Sequence, residues 1–162
     1  MSDVFNVREI LEIAVRIEVN GARFYRKAAE MIDVPTSKEL LLSLAEMEDE
    51  HEKIFRYFIQ ELEKEGGGGD FVDPDGDAAK YLGAVAGGYV FPVGEDPSDK
   101  LTGTETLPEI IDVALGLEKD SVVYYLGVKE IVPPALGRER IDRIITEEMR
   151  HITILSDLKR WL

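Results

Sequence analysis

Glu46–Phe55 reads EMEDEHEKIF and Thr146–Leu155 reads TEEMRHITIL. The chain has two histidines, His51 and His151, and each follows a glutamate by three residues. The two Glu-x-x-His units, Glu48/His51 and Glu148/His151, stand 100 residues apart. Residues three apart on a helix share one side, so each unit presents a carboxylate and an imidazole together. Both units fall on apolar stripes of helical period. Leu41, Leu44, Ala45 and Phe55 flank the first, and Ile141, Ile144, Ile145 and Leu155 the second. The polar pairs therefore belong to inward faces.

Working outward, the spacing predicts four long helices over about 6–33, 37–65, 106–130 and 136–161. Leu11, Ala14, Val15, Glu18, Ala22 and Tyr25 share one face of the first. Thr36/Glu39 and Thr106/Glu109 have the spacing of capping boxes for the second and third, with Pro108 inside the first turn of the third. Four glycines, Gly66–Gly69, close the second helix, and the run Val132–Pro134 closes the third. The linker 66–103 is too long for an ordinary loop. Within it, Asp77–Val85 is expected to form a short helix and the residues up to Val93 an extended stretch. The expectation is an all-α, four-helix bundle of two hairpins joined by one long crossover, a single domain over 1–162.

An offset of 100 also aligns AVRIEVNGARFY, Ala14–Tyr25, with ALGLEKDSVVYY, Ala114–Tyr125. Glu18 falls on Glu118 and Tyr25 on Tyr125. One helix of each pair thus offers a lone glutamate and the other Glu-x-x-His. Surface acids with two ordinary core histidines would be the plainest account, but the four glutamates sit amid inward apolar residues. An unpaired buried carboxylate is expensive, and no basic residue shares those stripes; Arg16, Arg23, Lys119 and Arg150 fall on other faces. Two divalent cations would neutralise four carboxylates, and carboxylate with imidazole is a ligand mix for iron or manganese.

Composition bounds the rest. Hydrophobic residues make up 44 % and charged residues 32 %, enough apolar residues for a core in a chain of 162. No apolar run reaches the ~18 residues of a membrane span. The N-terminus lacks a signal-peptide pattern, so we expect a cytoplasmic protein with no membrane contact. There is no cysteine, hence no disulfide and no thiolate metal site. A net charge of −14 argues against nucleic acid as a partner.

Over all four helices and the crossover, the chain resembles the rubrerythrin-like branch of the ferritin-like di-iron carboxylate proteins. The carrying motifs are RIEVNGARFY, EMEDEH, GLEKDSVVYY and EEMRH. The resemblance implies two iron ions, with manganese or zinc as substitutes. It makes Glu48 and Glu148 bridging carboxylates, with Glu18 and His51 completing one ion and Glu118 and His151 the other. Tyr25 and Tyr125 match tyrosines whose hydroxyls hold ligand carboxylates in place. Two departures stand out. Peroxide-reducing rubrerythrins carry a further glutamate where this chain has Ser121, and we expect no cysteine-bound rubredoxin domain. The implied activity is reaction with peroxide or dioxygen, as a peroxidase or ferroxidase, in oxidative-stress defence or iron oxidation. It needs an external electron donor such as a rubredoxin. The alternative is a non-catalytic iron-binding or iron-handling protein. A homodimer is expected, with the apolar crossover covering a groove or meeting the second subunit.

Overall fold

The first helix starts where Asn6 and Glu9 close a reciprocal cap. Asn6 Oδ1 accepts from Glu9 N at 2.9 Å, and Asn6 N donates to Glu9 Oε2 at 3.1 Å. The structure, a computed structural model, describes residues 6–64, 73–86 and 95–162. Among these residues there are five α-helices and no strand: α1 (Val7–Glu30), α2 (Pro35–Lys64), α3 (Asp77–Ala86), α4 (Leu107–Ile131) and α5 (Arg138–Arg160).

Helix α2 corrects one expectation. It begins at Pro35, before the proposed Thr36/Glu39 box, and Lys38 N donates to Val34 O at 3.0 Å. Proline suits the first helical position because its φ is preset and its missing N–H has no helical partner to lose. The Thr106/Glu109 box does form, with Thr106 N donating to Glu109 Oε2 at 2.7 Å. Between α4 and α5, Pro134–Leu136 makes a single 3-10 turn. Gly137 then takes the left-handed conformation (φ 106°) that lets the chain reverse into α5.

The short helix expected at Asp77–Val85 is α3. Asp73 accepts from Ala79 N at 2.8 Å and so caps it. Its Leu82 and Val85 are buried, and Tyr81 Oη donates to Val123 O of α4 at 2.7 Å. The expected glycine stop at Gly66–Gly69 and the extended stretch lie outside the described residues, save for the start of that stretch at Ala86, which is helical. A further 3-10 turn, Pro97–Lys100, leans on α1, where Lys27 Nζ donates to Ser98 O at 2.7 Å and Arg23 pairs with Asp96.

Helices α1 and α2 form one hairpin and α4 and α5 the other; α1 faces α4 and α2 faces α5. Two apolar clusters fill the bundle. One contains Leu11, Phe55, Phe58, Tyr124 and Ile144, and the other Phe24, Leu44, Ile110, Ile111 and Leu155. Glu18, Glu48, Glu118 and Glu148 lie along their helices between these clusters, so the apolar core brackets a polar layer. No helix of the described residues is long and apolar enough to cross a membrane.

Candidate metal centre

Six side chains meet in that layer. Glu18 comes from α1, Glu48 and His51 from α2, Glu118 from α4, and Glu148 and His151 from α5; none exceeds 4 % exposure. Donor atoms of Glu18, Glu48, His51 and Glu148 all lie within 4.8 Å of one another, as do those of Glu48, Glu118, Glu148 and His151. Glu48 and Glu148 belong to both groups.

The contacts inside each group are close but are not hydrogen bonds. His51 Nδ1 stands 2.9 Å from Glu148 Oε1 and 3.5 Å from Glu18 Oε2. His151 Nδ1 stands 3.1 Å from Glu148 Oε2, 3.3 Å from Glu48 Oε1 and 3.4 Å from Glu118 Oε1. Yet among the described residues both Nδ1 atoms, both Glu148 oxygens, Glu18 Oε2 and Glu48 Oε1 lack a hydrogen-bond partner. Buried polar atoms seldom stay unsatisfied, at a cost of about 1–3 kcal/mol each. These atoms aim into shared spaces and not at one another. Nitrogen and oxygen ligands about 2.1 Å from one cation stand about 3.0–3.4 Å apart, so the observed spacings fit the edges of a coordination shell. Among the described residues, no lysine or arginine pairs with any of the four carboxylates.

The electrostatics express the same crowding. Burial, reinforced by Glu48 and Glu148, pushes the Glu18 and Glu118 carboxyls well above the usual range. Burial alone would lower the imidazoles. For His51, contacts with Glu148 and Glu18 outweigh it and push the ring up to about 12; Glu118, Glu148 and Glu48 do the same for His151. Glu148 moves the other way: burial opposes its charge, but His151 and His51 hold it below the carboxylate range.

Around the six lies a ring of supporting groups. Tyr25 Oη donates to Glu118 Oε1 and Tyr125 Oη to Glu18 Oε1, so each tyrosine crosses to the lone glutamate of the other half. Both tyrosines are buried. Gly21 makes room for a carboxylate: a Cβ there would stand 3.3 Å from Glu48 Oε2. Gly116 faces open space and has no such part. Glu147, next to Glu148 on α5, also reaches the site. In the structure its Oε2 stands 2.7 Å from His51 Nε2. The signal was present, since Glu147 precedes a site residue, but only the placement of α5 against α2 reveals the contact.

A cavity of about 90 Å³ reaches the layer between α1 and α4, beneath the 95–100 segment. Ile17, Gly21, Leu117 and Ser121 line it, and Tyr25, Glu48 and Glu118 contribute its buried wall. Gly21 and Ser121 are repeat equivalents. Asp120 also borders this cavity.

A rubrerythrin family model matches residues 9–86, which include Glu18, Glu48 and His51. A crystal structure from Thermotoga maritima, of a protein described as a ferritin-like diiron-carboxylate protein, superposes with a TM-score of 0.70 at 28 % identity. The match covers 99 % of this chain and 98 % of the other. The chain has the ferritin-like fold and is similar to rubrerythrin over residues 9–86. No curated protein matches it. The second half of the chain, with Glu118, Glu148 and His151, lies beyond the family match and within the structural one. Its own residues complete the Glu/His cluster.

Proposed function

We propose that this rubrerythrin-like chain binds two iron ions and uses them to reduce peroxide or dioxygen, as a peroxidase or ferroxidase. The observation that carries this reading is the convergence of six buried donors, five of which (Glu18, Glu48, His51, Glu148 and His151) keep an inward atom with no hydrogen-bond partner among the described residues. Glu18 and His51 would hold one ion and Glu118 and His151 the other. Glu48 and Glu148, common to both groups, would bridge them. Bound as a ferrous pair, the ions supply the two electrons that convert peroxide, with two protons, into two waters.

The chain's residues do the rest. Tyr25 and Tyr125 fix the terminal carboxylates through their hydroxyls and hold a proton on each. The apolar clusters on either side exclude bulk water from the layer. The cavity at Ser121 and Gly21 is large enough for peroxide or dioxygen and far too small for a folded partner. Electrons must return from an external donor, such as a rubredoxin, acting on the surface.

One observation favours a second reading, a protein that binds or hands on iron without turnover. Ser121 is neutral, and its hydroxyl is committed to Leu117 O at 3.0 Å. The resemblance places a glutamate at this position in peroxide-reducing relatives.

Anaerobic loading with Fe²⁺ followed by elemental analysis tests the shared part of both readings. Two ions per chain are expected, and a content near zero would refute both. Rapid mixing of the loaded protein with peroxide, and then with reductant, separates them. Repeated oxidation and reduction supports the enzyme; stable binding without oxidation supports the carrier.

A further inference from the structure

The repeat makes the six inward donors two-fold, but it does not extend to the groups behind them. The residue before Glu148 is Glu147, whereas the residue before Glu48 is Met47. The consequence is visible at the imidazoles. His51 Nε2 stands 2.7 Å from Glu147 Oε2, in hydrogen-bonding geometry. His151 Nε2 is buried and has no hydrogen-bond partner among the described residues. The two rings are otherwise alike: they lie nearly parallel, 20° apart with centroids at 5.9 Å, and both turn Nδ1 toward the carboxylates. Glu147 makes no ion pair with a lysine or arginine among the described residues. Its side chain is 27 % exposed, so its charge is partly withdrawn from water.

With Nδ1 as the donor to a cation, the ring proton resides on Nε2. A carboxylate accepting that proton fixes the tautomer and the ring's orientation. It also raises the electron density at Nδ1, which makes the imidazole a better ligand. His51 has this support and His151 does not.

We propose that Glu147 makes the two cation positions unequal, so that the Glu18/His51 position fills first and holds its ion more tightly than the Glu118/His151 position. This rests on the reading of the six residues as a cation site. Partners of this kind change metal affinity by about 10–100-fold, and that is the separation expected between the two steps.

Calorimetric titration of the chelator-treated full chain with Zn²⁺ measures both steps without any turnover. The unaltered protein should show two steps separated by about 10–100-fold. Glu147→Gln keeps the size and an acceptor oxygen but removes the charge; it should weaken the tighter step and leave the weaker one in place. His151→Ala should retain the tighter step, and His51→Ala should lose it. Two equal steps in the unaltered protein, or a tighter step indifferent to Glu147→Gln, would overturn the proposal and leave the cation site standing. Loss of the tighter step in His151→Ala instead of His51→Ala would also overturn it. No binding in the unaltered protein would refute the cation site itself, and this inference with it.

Discussion

At the scale of single residues, membership of the two donor groups decides how much each substitution matters. Glu148 reaches both, with one oxygen 2.9 Å from His51 Nδ1 and the other 3.1 Å from His151 Nδ1. Glu18 belongs to one group only. Glu148→Ala should therefore reduce bound metal to near zero, while Glu18→Ala should leave about one ion per chain on the Glu118/His151 side. Elemental analysis of the two variants, loaded identically, checks this; equal losses would contradict the bridging role. Ser121 supports a second prediction. Its side chain borders the cavity, so a longer one has somewhere to go. Ser121→Glu should place a carboxylate near Glu48 and Glu118, where added negative charge stabilises the ferric state. Peroxide should oxidise the iron-loaded variant at least about tenfold faster, a barrier difference of about 1.4 kcal/mol. An unchanged or slower rate in rapid mixing would show that Ser121 does not limit the reaction.

At the scale of elements, what was readable in the sequence was what one helix can express alone. The periodic faces placed Glu18, Glu48, Glu118 and Glu148 inward, and the offset of 100 paired them, before any helix had been docked. Local signals competed where two were adjacent. Pro35 overrode Thr36 because a preset φ at the first helical position needs no side-chain partner. Asn6 and Glu9 were the missed box of the same type. Contacts between elements were not legible. The Glu147–His51 bond depends on the rotation of α5 against α2. Gly127 depends on where α3 lands: a Cβ there would stand 2.6 Å from Leu82 Cδ2 and 2.7 Å from Tyr81 Cδ1. This glycine sits in the interior of α4, where alanine would gain about 1 kcal/mol of helix propensity. Overpacking of a formed interface costs about 1–3 kcal/mol, and displacing α3 would also strain the Tyr81–Val123 bond. Gly127→Ala should accordingly lower stability by up to about 2 kcal/mol net. Urea unfolding measures it, and a variant more stable than the parent would show that α3 packs loosely enough to yield.

At the scale of the whole molecule, the polar layer adds a further tie among the four long helices that the two apolar clusters already pack together. Each half contributes one lone glutamate and one Glu-x-x-His unit, so cations in the layer would link all four long helices. A ligand bound only by the folded chain, at 100 to 1,000 times its dissociation constant, adds about 2.7–4.1 kcal/mol. At about 2–4 °C per kcal/mol for a chain of this size, each site should raise the Tm by about 5–15 °C. The pH dependence should differ in sign with and without metal. In the metal-free protein the imidazoles are raised to about 12, from an ordinary value near 6.5, and the Glu18 and Glu118 carboxyls are raised as well. The metal-free fold therefore binds more protons than the unfolded chain. The stabilisation from the raised imidazoles is full below pH 6.5 and diminishes as pH climbs toward 12. Glu148, held low, is ionised throughout this range and adds no slope. Metal binding requires those protons to leave, so the affinity, and with it the gain in Tm, should increase with pH. Thermal melts at pH 6, 7 and 8, with and without Zn²⁺, should show a metal-free Tm that falls and a metal-dependent increment that grows. An increment that stays constant across that range would mean that cations do not compete with protons for His51 and His151, and hence that they bind elsewhere.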